Sequence, residues 1–332
     1  MTQNIKYLII FLGCSMAICL TVFCINLFFD PLWYRSGNQF EGLNYMFDER
    51  LSKTNQYIKR RSSQQYNCII FGSSRTTLLN ESLLRDPYRC FNFSFSGGRI
   101  QEFIAYAKWL KNRGVNPEYV IVGIDDFNFV QSSKELNIPD FIKQNSDPPN
   151  IFYSYFSLDA FDMSFRLFFH EGSDPRIYDQ NFLGTVVKNP PKYRPTLRTN
   201  KQTLRKEAVK DYQDFQAVFP HSIFIGYIPP VSSWVTASKS QKELEFFLQS
   251  AFTISSFFDE MYDFSIPSDV TSNPENTFDG SHYFSFIQRK ITQSLNGEGM
   301  AFGINVKAFS RESYIQIYRD HVQSFQSALS EQ

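Results

Sequence analysis

Two short segments about two hundred residues apart carry side chains that could together move an acyl group: Phe71-Gly72-Ser73-Ser74-Arg75 and Phe278-Asp279-Gly280-Ser281-His282. A serine hydroxyl becomes a useful nucleophile when an imidazole takes its proton, and the imidazole serves best when a carboxylate holds it in the right tautomer. Asp279 and His282, three residues apart on one tight turn, can meet at a single place, the acid orienting the base. Ser74 comes shortly after the apolar run Cys68-Ile69-Ile70-Phe71, which reads as a buried strand, so its hydroxyl is expected on the turn leaving that strand's carboxyl end. The other histidines, His170, His221 and His321, have no acid at a useful spacing. Arg75 follows the serine directly. Its guanidinium could fork onto a phosphate or carboxylate of a substrate, or it could close an ion pair within the fold.

Bringing such groups together takes a sheet whose strands end along one edge. Apolar periodicity predicts strands over 67–71, 90–95, 119–124, 222–228 and 261–266, and helices over 99–113, 157–169, 201–218, 242–253 and 284–295. The near-continuous run Tyr119-Val120-Ile121-Val122-Gly123-Ile124 suits a strand covered on both faces. This alternation implies an α/β fold with a doubly wound, flavodoxin-like parallel sheet, whose sites lie beyond the carboxyl ends of its strands. Ser74, Gly97, Asp125 and His282 all follow such ends. Regularity fails over 127–200, where only 157–169 reads as a helix amid Pro148-Pro149 and Pro190-Pro191. That stretch is expected to be an irregular insertion that walls or lids a site.

Four blocks in order, Gly72-Ser73-Ser74, Asn92-Phe93-Ser94-Phe95-Ser96-Gly97-Gly98, Gly123-Ile124-Asp125-Asp126 and Asp279-Gly280-Ser281-His282, resemble the SGNH, or GDSL-like, hydrolase superfamily over about residues 68–282. With the apolar N-terminus described below, the chain looks most similar to the membrane-anchored extracytoplasmic subgroup from bacterial envelope polysaccharide loci, which includes the D protein of teichoic acid D-alanylation. The resemblance implies an SGNH-type sheet and singles out Ser74 over Ser73 as nucleophile, because the second serine aligns with that of the family's Gly-Asp-Ser. It also implies an oxyanion hole made by the backbone N–H groups of Ser74 and Gly97, the glycine letting backbone approach substrate closely, while Asn92 is read as structural. Many family members carry asparagine in the third block, donating to the oxyanion; here the aligned residue is Asp125. An ionised carboxylate ~4 Å from the oxyanion would cost about 4 kcal/mol at an effective dielectric of ~20, comparable to the ~2.7–4 kcal/mol lost on deleting an oxyanion donor. Asp125 is therefore expected to be protonated, turned onto another group such as Arg75, or part of a site that hydrolyses poorly; the second is preferred.

Residues 7–29 carry no charge over 23 positions, enough at ~1.5 Å per residue to cross a ~30 Å hydrocarbon core. A transmembrane helix is expected within residues 1–30, rather than a cleaved signal peptide with its ~7–15-residue apolar region. Positive charges are sparse before this run and follow it at Arg35, Arg50, Lys53 and Lys59-Arg60-Arg61, so charge counting alone does not favour an inside N-terminus. An extracytoplasmic domain is what the resemblance implies. Trp33 reads as an interface anchor, and Lys59-Arg60-Arg61 as a solvated helix face within reach of anionic headgroups. Residues 31–66 read as a juxtamembrane linker and helix, 67–300 as the SGNH-like domain and 301–332 as a helical extension. With 33 basic and 33 acidic residues the net charge is zero, which removes any global argument for a nucleic-acid partner. Three of the five cysteines fall in the apolar run. Cys68 and Cys90 fall in neighbouring parallel strands, where cross-strand geometry favours buried free thiols over a bridge. No metal-ligand spacing and no phosphate-cradling glycine loop is visible, so neither metal nor cofactor is expected.

These readings converge on a single-pass protein of the cytoplasmic (inner) membrane whose periplasmic domain is an acyl esterase or O-acyltransferase. Its substrate would be a surface polysaccharide or acylated glycan. A separate membrane-bound acyltransferase as acyl source is implied by the resemblance alone. The competing class is a noncatalytic SGNH-like glycan-binding or scaffold partner of such an acyltransferase or of a polysaccharide export complex.

Overall fold

The protein, represented by a computed structural model, is described over residues 3–39, 44–45, 47–172, 176–186, 193–197 and 202–331. Its strands are β1 Cys68–Phe71, β2 Cys90–Asn92, β3 Tyr119–Gly123, β4 Arg176–Tyr178, β5 Gly184–Val186, β6 Ile223–Ile228, β7 Glu260–Asp263 and β8 Ile304–Asn305. Six of them form one sheet in the order β2-β1-β3-β6-β7-β8. All neighbours pair in parallel except β8, which runs antiparallel to β7. The architecture is thus mixed α/β around a mostly parallel sheet.

Alternate side chains feed two cores. Ile69, Phe71, Val120, Val122 and Phe224 enter one, and Ile70, Ile121, Ile225 and Tyr227 the other. Burial on both faces is why these strands read as unbroken apolar runs. Helices Ile100–Asn112, Ala208–Gln216, Gln241–Ser255 and Arg311–Ser330 bury their apolar stripes in the first core, and Ser285–Leu295 covers the second through Ile287, Ile291 and Leu295. The helix Gln241–Ser255 starts sharply because Ser240 and Glu243 form a reciprocal capping box.

Several expectations need correction. The helix expected over 201–218 is confined to Ala208–Gln216, because the backbone before it pairs instead with the segment after β3: Val130 bridges Leu204, and the Gln131 N–H donates to Thr203 O at 2.8 Å. The insertion holds more than one helix, since Asp140–Lys143 and Ile151–Tyr155 join Leu158–Phe168, and β4 and β5 make an antiparallel hairpin. Strands of three residues are too short to show a period. Cys68 and Cys90 are bridged, not free: they face each other in the β1–β2 register with Cα atoms 4.2 Å apart. As a three-residue edge strand, β2 has no outer neighbour holding it at the usual ~4.8 Å spacing.

The N-terminal helix Gln3–Phe29 is long and apolar enough to span a membrane, and only 6% of its most apolar stretch is buried in the protein, so it is no core helix. Its last turns nevertheless belong to the domain, with Asn26 and Phe29 buried. Trp33 is not an interface anchor. The chain reverses through positive φ at Asp30 (47°) and Trp33 (57°), turning the indole inward against Phe182 at 4.2 Å between ring centres, where it is 1% exposed. In the basic run Lys59-Arg60-Arg61, Arg60 lies over the Phe182 ring and donates to Gln180 O at 2.6 Å.

Candidate active site

β1 ends at Phe71, and the chain turns through Gly72-Ser73-Ser74 into a short 3-10 helix, Thr76–Leu78. The N–H groups of Thr76 and Thr77 close this turn on Ser73 O at 3.0 and 3.1 Å. Thr76 fills the space between the ends of β1 and β3. A Cβ on Gly72 or Gly123 would lie 2.3 or 1.9 Å from its Oγ1, so the glycines of the first and third blocks are there to admit Thr76. The loop after β2 docks on the same place, with Phe95 N–H donating to Gly72 O at 3.0 Å. Asn92 holds the turn from behind, its Nδ2 donating to Thr76 O at 3.1 Å.

The histidine turn is closed by the Phe278 N–H on His282 O at 2.8 Å and by Thr277 Oγ1, which accepts from Gly280 N and donates to His282 O, both at 3.0 Å. Gly280 sits at φ +85°, which strains any other residue, and a Cβ there would lie 2.5 Å from the Tyr193 hydroxyl. Ser232 N–H on Gly280 O, 2.8 Å, fastens this turn to the segment after β6.

These two turns bring Ser74, His282 and Asp279 together. Ser74 Oγ lies 2.8 Å from His282 Nε2, and His282 Nδ1 lies 2.8 Å from Asp279 Oδ2. The other oxygen of Asp279 accepts the N–H groups of Ser281 (2.9 Å) and His282 (2.8 Å). Burial raises the Asp279 carboxyl, but the hydrogen bonds and charge of its own turn prevail and bring it down to about 2. It is therefore an anion at neutral pH, suited to hold a proton on Nδ1 and leave Nε2 to take one from Ser74. The imidazole is 18% exposed, so the chain of bonds opens to solvent. His170, His221 and His321 are exposed and lie outside this cluster.

Gly97 lies at φ +61°, exposed, on the loop after β2. Among the described residues neither its N–H nor that of Ser74 donates a hydrogen bond, leaving both as available donors. Asp125 is fully buried and does not stand alone: Arg75 Nη1 donates to its Oδ1 at 3.0 Å and to Asp126 Oδ1 at 3.1 Å. Arg75 Nε donates to Ser281 Oγ at 2.8 Å, and Lys239 Nζ holds Asp126 Oδ2 at 2.5 Å. Burial pushes the Asp125 carboxyl up, with the Arg75 charge pulling against it. Burial acts the same way on Asp126, but Lys239 and Arg75 hold it well below the usual carboxylate range. Of the two roles open to Arg75, the fold uses the ion pair, which ties the serine loop to the end of β3 and to the histidine turn.

Sequence reasoning missed a second strut. Arg176, on β4, donates to Ser74 O (3.4 Å), to Thr77 Oγ1 (2.6 Å) and to Ser96 Oγ. Its charge is met by Glu49 at 3.5 Å, and that carboxylate also accepts the Ser96 N–H and the Tyr178 hydroxyl. Arg176 and Glu49 thus clamp the loops that carry Ser74 and Gly97. No protein-family model matches the chain, and no curated protein matches it as a relative.

Proposed function

We propose that this chain is a membrane-anchored, extracytoplasmic SGNH-like serine esterase or O-acyltransferase that handles an acyl group, most simply acetyl, on a surface polysaccharide. The carrying observation is the pair of 2.8 Å contacts that joins Ser74 Oγ to His282 Nε2 and His282 Nδ1 to Asp279. Ser74 Oγ attacks the acyl carbonyl while its proton passes to Nε2, the N–H groups of Ser74 and Gly97 hold the oxyanion, and His282 returns the proton to the departing alcohol. Water then cleaves the acyl-Ser74 ester in an esterase, and a sugar hydroxyl does so in a transferase. With Asp125 paired to Arg75, two backbone donors remain, which fits modest hydrolysis. The strand order β2-β1-β3-β6-β7 agrees with a doubly wound, flavodoxin-like sheet of the SGNH kind. The Cys68–Cys90 bridge supports an oxidising compartment such as the periplasm, and the buried end of the N-terminal helix favours a retained anchor over a cleaved leader. The test is labelling with a fluorophosphonate. Covalent modification of Ser74 that disappears in Ser74→Ala and His282→Ala supports the enzyme; a folded protein that never labels supports the noncatalytic scaffold instead.

A further inference from the structure

We propose that the aromatic face of the insertion is a second membrane-contact surface, seated in lipid beside the N-terminal helix, so that the bilayer holds the domain at two places. The proposal rests on that helix crossing the membrane.

The helix Leu158–Phe168 has three faces. Ala160, Ser164 and Leu167 are buried in the protein, and Asp159 and Asp162 point to solvent. Leu158, Phe165, Phe168 and the following Phe169 are 74%, 54%, 50% and 51% exposed. At ~100° per residue these four fall in one stripe about 100° wide. Phe169 touches both Phe165 (4.6 Å between ring centres) and Phe168 (4.9 Å), so the patch is continuous. On the preceding short helix Phe152 adds another ring, 63% exposed. A surface meeting only water rarely leaves so many large apolar side chains side by side.

Continuity with the N-terminal helix decides what covers it. Phe23 stacks on Phe152 and Phe156 at 5.7 and 4.7 Å, and Phe29 meets Phe168 at 6.3 Å. Phe23 lies six residues before the helix ends, ~9 Å along its axis, so the insertion lies against a part of the helix that a bilayer would surround. Asn26 sits in that stretch, and its amide is fully engaged by the insertion: Nδ2 donates to Tyr155 O at 2.9 Å and Oδ1 accepts from Ser164 Oγ at 2.8 Å. Satisfying a polar side chain within the protein is what a lipid environment demands. A helix with phenylalanines on one side and carboxylates on another suits the headgroup boundary, its apolar face sunk ~5–10 Å.

The experiment uses the full chain in liposomes. An environment-sensitive fluorophore is attached at Phe165→Cys, Phe168→Cys or Asp159→Cys in a background of Cys14→Ser, Cys19→Ser and Cys24→Ser, and at native Cys14 with only Cys19 and Cys24 replaced. Quenching by nitroxide-labelled lipid is compared with quenching by aqueous iodide. The proposal expects lipid quenching to exceed iodide quenching several-fold at Cys14 and at positions 165 and 168, with the reverse at 159. Lipid quenching at Cys14 together with iodide quenching at 165 and 168 overturns the proposal while the span stands. Protection from both quenchers at 165 and 168 also overturns it, because a second copy of the chain then covers the patch. Iodide quenching at Cys14 defeats the span and the proposal together.

Discussion

Replacing Arg75 by methionine keeps a long unbranched stem and removes the charge that Asp125 depends on, together with the hydrogen bonds to Asp126 and Ser281. Asp126 retains Lys239 at 2.5 Å, so the loss falls on Asp125, which is fully buried and whose Oδ2 has no hydrogen-bond partner among the described residues. Stripping one member from a buried pair costs about 3–5 kcal/mol, because the remaining charge is left uncompensated. The loss must also depend on pH. Burial already holds the Asp125 carboxyl above its ordinary 3.8, and without Arg75 it goes higher still. A carboxyl raised on folding favours the folded state below its unfolded value and forfeits that stability as pH climbs toward the folded value. Arg75→Met should therefore lie closest to the wild type near pH 4 and fall progressively behind as pH rises to neutral. The double variant Arg75→Met/Asp125→Asn, with no carboxylate to strand, should regain most of the stability and lose the pH-dependent deficit. Urea titration of the full chain in detergent, followed by tryptophan fluorescence from pH 4 to 7.5, measures all three proteins. A deficit that is constant with pH, or that Asp125→Asn does not relieve, refutes the buried-pair account.

If Ser74 and His282 act as one unit, then Ser74→Ala, His282→Ala and the double variant should lose similar turnover on a small acetyl ester, whereas Asp279→Asn should retain a residue of activity; additive losses would mean that the two side chains serve different steps. A C-terminal alkaline phosphatase fusion should be active and a C-terminal GFP fusion exported by the same route dark, and the opposite pair would put the domain in the cytoplasm. Cys68→Ser with Cys90→Ser opens a loop of 22 residues and should lower stability by about 3 kcal/mol, read by urea titration beside a thiol count of the denatured wild type. Two extra reactive thiols in the untreated wild type would show that no bridge forms in the cell.

The meeting of Ser74, His282 and Asp279 is legible in the sequence because each of its two segments is local. Asp279 and His282 meet across a turn that closes on itself, and Ser74 follows a strand whose burial on both faces leaves an unbroken apolar run. The clamp on the serine loop was not legible, because Arg176 reaches Ser96 across 80 positions and Glu49 accepts from Tyr178 across 129. Neither partner carries a pattern, since Arg176 stands on a three-residue strand and Glu49 opens a helix whose buried face is polar and charged, including Arg50 and Lys53. Trp33 departs from its expected place for a related reason: distance from an apolar helix says where an indole stands in the chain, while two positive-φ residues decide which way it faces.

Asp125 marks the boundary between what pattern supplies and what register supplies. Two adjacent carboxylates at the end of a buried strand need a cation, and the partner expected for Asp125, Arg75, is the one the structure supplies. β1 and β3 are direct neighbours with Phe71 opposite Val122, so the turn that carries Arg75 and the segment that carries Asp125 and Asp126 leave the same edge of the sheet side by side. The pairing of those strands brings the Arg75 guanidinium to Asp125, which is why a carboxylate can be buried beside the serine loop without presenting a bare charge. The pairing of β1 with β2 gives the disulfide. The adjacency of these strands is legible in the sequence; what hydrophobic periodicity along a single chain does not contain is the register, which sets Cys68 opposite Cys90 at a Cα distance that a bridge can close.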